Sequence, residues 1–222
     1  MIISLTGFMG CGKSSVGRKL SELLCCPFMD LDSVIEERAG RTIPEIFASE
    51  GEAGFRRMEA EALEAVTGQQ PKCSGGPLPL RGPLPLAGGG KMPPPHNGQT
   101  VSSHENSEGK TRGVLALGGG AVMTPSCAKL VHEHTLCIYL RASVETLLDH
   151  LSGEADGRPM LEGRSLRSRI EELMTLRSST YEKTAHIIID TDGKSIDSIC
   201  QEIISTAILP GLRSSRPFHG GP

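Results

Sequence analysis

The chain opens Met1-Ile2-Ile3-Ser4-Leu5-Thr6-Gly7-Phe8-Met9-Gly10-Cys11-Gly12-Lys13-Ser14, and these residues decide the fold. Met1 to Thr6 reads as a buried strand. Gly7 to Ser14 follows at once and fits G-x-x-x-x-G-K-[ST]. A helix over Ser14 to Leu24 comes next, with Val16, Leu20, Leu23 and Leu24 on one face. Glycines between strand and helix let successive amides point at a polyphosphate, and the helix start adds its free N–H groups and positive end. Lys13 is then expected to hold the β- and γ-phosphates of a nucleotide. The Ser14 hydroxyl is expected to reach Mg²⁺, with Gly10, Cys11, Gly12 and Ser15 completing the nucleotide contacts. A thiol near a helix N-terminus is a reactive thiol, so Cys11 is expected to be alkylated and protected by ATP.

Working outward, short apolar runs alternate with helical patterns. Pro27 to Asp30 is a second strand. Ser33 with Glu36, and Thr42 with Glu45, both fit a capping box, predicting helices that stop near Gly40 and Gly51. A third helix is expected from Glu52 to Val66. Later come a strand at Val114 to Leu117, a helix near Pro125 to His132, a strand at Thr135 to Leu140, and helices over Val144 to Leu151 and Leu166 to Thr184. His186 to Ile189 and a helix from Ile196 to Ile208 complete the pattern. Strands of four to six apolar residues separated by helices imply an α/β fold, a parallel sheet covered on both faces. Such sheets bind ligands at the carboxyl ends of their strands.

Two segments stand apart. Residues 68–112 hold nine Gly and eight Pro with no Ile and no aromatic, and repeat Pro-Leu-Pro-Leu at Pro77 and Pro83. That composition cannot pack a core, so a disordered insertion is expected there, with the tail 210–222 of the same kind. The remaining parts, 1–67 and 113–209, make about 160 residues, a comfortable single domain. Over the 222 residues, 23 Lys and Arg face 26 Asp and Glu, and Phe and Tyr number five and two with no Trp. Nucleic-acid binding, which wants clustered positive charge and stacking rings, is not expected. No run approaches the roughly 20 apolar residues of a membrane helix. The start of the chain has no basic lead or cleavage site, so the cytoplasm is expected, with a monomer as the working oligomeric state. Seven Cys without a CxxC pair suggest neither a disulfide framework nor a zinc site.

The remaining chemistry lies in carboxylates, arginines and glycines. Asp30-Leu31-Asp32 closes the second strand beside the phosphate loop. One carboxylate there suits the water shell of Mg²⁺ and the other an attacking hydroxyl, although Asp32 also suits a helix N-cap. Arg177, seven residues after Ile170 and four before Tyr181, lies on an apolar helix stripe and should meet an anion. Arg56 opens the third helix. Arg158 sits in a Gly- and charge-rich stretch, Ser152 to Arg164, with the composition of a lid able to close on a γ-phosphate. Gly118, Gly119 and Gly120 follow the middle strand and offer bare backbone to a substrate.

Taken together these motifs resemble the shikimate kinases, small phosphate-loop kinases of chorismate and aromatic amino-acid biosynthesis. The resemblance rests on Gly7 to Ser14, Asp30-Leu31-Asp32, Gly40 to Ile43, Ile46-Phe47, Gly51-Glu52 with Phe55-Arg56-Arg57, Leu117 to Val122, Arg158 to Leu161, and Arg177 with Tyr181. It implies a three-layer αβα fold of the nucleoside monophosphate kinase type with a five-stranded parallel sheet. It further implies that Lys13 and Arg158 hold the transferring phosphoryl group and that Ser14 and Asp30 hold Mg²⁺. Asp32 would orient the attacking hydroxyl, Arg56 and Arg177 would grip the carboxylate of shikimate, and Gly118 to Gly120 would line its ring. Three features depart from the family pattern: the insertion, His150-Leu151 where many relatives carry an adenine-stacking arginine, and Asp192 to Ser195 without the usual proline. A nucleotide-binding interaction module without turnover is the alternative, and a complete set of Lys13, Asp32, Arg56, Arg158 and Arg177 argues against it.

Overall fold

Side chains of successive strand residues point to opposite faces, and here that alternation sorts the apolar residues into two cores. In a computed structural model, which describes residues 1–68, 111–151 and 166–208, Ile3 and Leu5 join Val114, Ile138 and Leu140 in one core. Ile2, Leu115, Leu117, Cys137 and Tyr139 enter the other. The strands are β1 (Ile2–Thr6), β2 (Phe28–Asp30), β3 (Gly113–Ala116), β4 (Leu136–Arg141) and β5 (Ile187–Asp190). They form one sheet in the order β2-β3-β1-β4-β5, and all four pairings are parallel. The five-stranded parallel sheet is as expected, and its buried faces explain why the strands read as unbroken apolar runs.

The helices are α1 (Lys13–Leu23), α2 (Leu31–Ala39), α3 (Ile43–Thr67), α4 (Pro125–His134), α5 (Val144–Leu151), α6 (Leu166–Thr184) and α7 (Ile196–Ile208), with a 3₁₀ turn at Ala121–Met123. Val16 and Leu20 of α1, Leu147 of α5 and Ile199 of α7 cover the first core. Leu31 and Ile35 of α2, Leu63 of α3 and Val131 of α4 cover the second. Helix α6 serves both, with Ile170 and Leu173 in the first and Tyr181 in the second.

Helix starts differ from expectation at one point. The Ser33–Glu36 capping box is not used, because α2 begins at Leu31 and Asp30 is its cap, accepting from the Asp32 N–H at 3.1 Å. Asp32 therefore lies in the first turn of α2 and does not close the second strand, and the N-cap role weighed for Asp32 belongs to Asp30. The second box holds: the Glu45 carboxylate accepts from the Thr42 N–H at 2.8 Å and its hydroxyl at 2.9 Å. The helices expected to part near Gly51 meet within α3 at that residue, where φ 66° and ψ −173° break the helical run. Glu50 spans the break, pairing with Arg41 at 2.5 Å and Arg57 at 2.7 Å.

Gly68 caps α3 in the left-handed region, and the Arg112 N–H already donates to the Met1 carbonyl at 2.7 Å. The body of the expected insertion between them, the lid stretch with Arg158, and the tail lie outside the described residues. Among the described residues no helix is long and apolar enough to cross a membrane.

Candidate active site

The phosphate loop turns between β1 and α1 on glycines with positive φ, 79° at Gly10 and 88° at Gly12, the latter capping α1. Lys13 Nζ donates to the Gly7 carbonyl at 3.0 Å and the Phe8 carbonyl at 2.8 Å, which holds the ammonium over the loop. Ser14 Oγ donates to Asp30 Oδ2 at 2.9 Å. Hydroxyl and carboxylate together are the hard oxygen donors that Mg²⁺ prefers, and positive-φ glycines with a loop lysine suit a polyphosphate. These residues thus fit both groups. Gly10, Gly12, Lys13, Ser14, Ser15, Asp30 and Asp32 line one cleft of about 910 Å³.

Cys11 lines the same cleft, as expected of a loop residue, with its side chain turned in: it is 3 % exposed, its thiol lying 3.9 Å from Lys13 Nζ and against the position a Cβ on Gly7 would take.

The end of α5 docks on the loop. His150 Nδ1 donates to the Gly10 carbonyl at 2.8 Å, and a Cβ on Gly10 would meet Leu151 Cγ at 2.9 Å. His150, Thr191, Lys194 and Ser195 line the same cleft as the loop.

On the acceptor side the three glycines act as a hub, and each touches a different group. A Cβ on Gly118 would lie 2.8 Å from Asp32 Oδ1 and 3.3 Å from Glu59 Oε1. One on Gly119 would lie 3.4 Å from the Met9 N–H of the phosphate loop, and one on Gly120 2.7 Å from the Arg56 guanidinium. Arg56 donates to Glu59 Oε2 at 2.7 Å and to Glu52 Oε1 at 3.3 Å. The Tyr181 hydroxyl donates to the Gly119 carbonyl, and half-buried Arg177 sits one helical turn before it on α6. Asp32, Arg56, Tyr181 and the phosphate-loop backbone that holds Lys13 therefore gather around one short stretch of backbone, with Arg177 one turn from Tyr181. Arg158 lies outside the described residues.

Burial, together with the neighbouring Asp30 carboxylate, pushes the Asp32 pKa up, while Lys13 and Arg56 oppose the shift. Burial also raises Glu59, against the pull of Arg56. The sequence reading passed over Glu59. Its signal was present: three residues beyond Arg56 on one helix, a carboxylate faces the same way. What the spacing does not reveal is that this carboxylate is 1 % exposed.

The glycine hub yields a direct test. Neither Gly118 nor Gly120 has positive φ, so alanine fits the backbone at both, and the atoms struck are the ends of functional side chains. Gly118→Ala should displace Asp32 and lower kcat by about 10²-fold, the usual penalty for roughly 1 Å of misplacement. Gly120→Ala should displace Arg56 and act mainly on the KM of the acceptor. Steady-state kinetics of the two variants, with wild-type melting temperatures, check the division; equal effects on both constants would contradict it.

The sequence pattern of the shikimate kinases matches residues 9–76 and 101–208, most of the chain. This protein belongs to the shikimate kinase family. A shikimate kinase of Thioalkalivibrio sulfidiphilus is 36% identical over 201 residues, covering 90% of this chain and 84% of that protein. One from Thermus thermophilus is 34% identical, with 91% and 87% covered. Among solved structures, shikimate kinase from Acinetobacter baumannii in complex with shikimate superposes with a TM-score of 0.69 at 28% identity, covering 92% of this chain and 90% of that one. As a shikimate kinase family member the protein is a phosphotransferase. The break in the family match, residues 77–100, falls on the Pro-Leu repeats.

Proposed function

We propose that this shikimate kinase family member transfers the γ-phosphate of ATP to the 3-hydroxyl of shikimate, with Mg²⁺, giving shikimate 3-phosphate. The observation that carries the reading is the Gly118–Gly120 hub, against which Asp32, the phosphate loop and Arg56 each lie at a different residue. An acceptor resting on that backbone has a carboxylate base on one side and the nucleotide loop on the other.

In this reading Lys13, with Arg158 from the lid, holds the transferring phosphoryl group, and the loop from Gly10 to Ser15 holds the rest of the polyphosphate. Ser14 and Asp30 hold the cation, which when bound supplies charge neutralisation at the β- and γ-oxygens. Arg56 and Arg177 hold the shikimate carboxylate, and Glu59 fixes the direction of Arg56. Asp32 takes the proton of the attacking hydroxyl. Its raised pKa strengthens it as a base. Catalysis is then chiefly positioning and electrostatics.

ADP release measured with and without shikimate tests the assignment. The expected result is a rate that depends on both shikimate and Mg²⁺. A rate indifferent to shikimate but raised by gluconate or a nucleoside monophosphate would transfer the assignment to another acceptor. The reading extends to a monomer in the cytoplasm, and sedimentation of the full chain tests the first part. It also treats the proline-rich insertion as outside the catalytic unit. Lengthening a loop from about five to about 45 residues raises closure entropy by only on the order of 2 kcal/mol. Replacing residues 68–112 with a short polar turn should therefore leave kcat within about twofold of wild type and stability equal or higher. Failure of the shortened chain to fold would make the segment structural.

A further inference from the structure

The Tyr181 hydroxyl is placed where three parts of the site meet, although no step of the reaction needs it. Its ring is buried, 1 % exposed, and stacked on Tyr139 of β4 with centroids 5.2 Å apart. The hydroxyl donates to the carbonyl of Gly119, the middle residue of the glycine hub. Arg177 lies four residues earlier on α6, the spacing at which helix side chains meet, and its positive charge acts on the phenol. Donation to the carbonyl fixes the single phenolic proton, leaving the oxygen lone pairs for a guanidinium N–H. Burial pushes the phenol pKa up, so the proton stays on the oxygen at working pH and the donor is permanent.

Gly119 has no side chain to pack, and its neighbours must lie where Asp32 and Arg56 find them. Arg177 is a long side chain with many rotamers, and holding one of them raises affinity for an anion by removing ordering entropy from binding. One hydroxyl therefore sets the Arg177 guanidinium relative to the backbone on which the acceptor rests. The ring stack on β4 makes that hydroxyl part of the sheet, which is more rigid than a loop anchor.

We propose that Tyr181 is a positioning residue for acceptor binding, presenting Arg177 to the shikimate carboxylate by tying it to the Gly119 carbonyl. The inference rests on reading Arg177 as a carboxylate clamp, and the experiment separates the two. Tyr181→Phe keeps the buried ring and its stack and removes only the hydroxyl. It should raise the KM for shikimate about tenfold, the usual size of one lost hydrogen bond to a charged group, with the KM for ATP changed less than about twofold. Arg177→Ala should raise the shikimate KM by more. Adding Tyr181→Phe to Arg177→Ala should change it little further, because the hydroxyl then has no guanidinium to present. A merely structural tyrosine would shift melting temperature and both KM values together.

A Tyr181→Phe enzyme with wild-type shikimate KM beside an impaired Arg177→Ala enzyme overturns the proposal and leaves the clamp standing. Fully additive effects in the double variant overturn it too. An Arg177→Ala enzyme with wild-type shikimate KM removes the clamp and this inference with it.

Discussion

Asp32→Asn is expected to lower kcat by about 10³-fold, within the range a positioned general base contributes, while the protein melts no lower than wild type. The two halves have one cause. Burial, aided by the Asp30 carboxylate, holds the Asp32 pKa above its ordinary value, so ionised Asp32 is useful to chemistry and unfavourable to the fold. The sign follows from proton linkage. With the folded pKa raised, the native state binds this proton more tightly than the unfolded chain, so stability falls as pH rises from about 4 through the folded value. Asparagine carries no charge and escapes that loss. The melting temperature of Asp32→Asn should equal or exceed that of wild type at pH 7, and the difference should shrink toward pH 4. Glu59 is shifted in the same direction, in part by the Asp32 charge, so Asp32→Asn relieves that shift too and acts in the same sense. In wild type the acid limb of kcat against pH should lie above the ordinary aspartate range. An Asp32→Asn enzyme with more than about a tenth of wild-type kcat would remove Asp32 as the base.

The second large effect is at Arg56. Its guanidinium is the 2.7 Å partner of Glu59, whose side chain is 1 % exposed. Removing one member of a buried ion pair leaves the other uncompensated and costs about 3–5 kcal/mol. Arg56→Ala should therefore lose about 3 kcal/mol of stability together with roughly 10²-fold in shikimate KM. Arg56→Ala combined with Glu59→Gln separates the two losses. Glutamine removes the stranded charge, so denaturant unfolding should recover much of the stability while shikimate KM stays high. If the double variant regained acceptor affinity, Arg56 would be a structural partner of Glu59 and no part of the acceptor site.

Much of this was legible in the chain because its signals are local. Strands buried on both faces read as apolar runs, and α5, α6 and α7 span the residues their apolar periodicity predicts. The phosphate loop is legible because its glycines, lysine and serine are contiguous. Arg177 stands out in the sequence because an arginine between Ile170 and Tyr181 on an apolar face needs a reason to be there, and it is half-buried. Competition among local motifs hid the start of α2: two capping signals lie three residues apart, and Asp30 prevails because β2 delivers it to the position before Leu31. Burial hid Glu59 and Cys11. A carboxylate three residues from an arginine looks like a solvated surface pair until tertiary packing closes over it, and a loop thiol gives no sign in the sequence that its side chain turns inward. Neither fact has a local signature.

In the proposed acceptor pocket the floor is main chain, and this bears on drug design. An inhibitor that rests on Gly118 and Gly120 contacts atoms no codon change can remove, and a side chain added at either position collides with Asp32 or Arg56 before it reaches the drug. Resistance by point mutation there would disable the target as surely as the compound does, so escape would have to come from the pocket's rim.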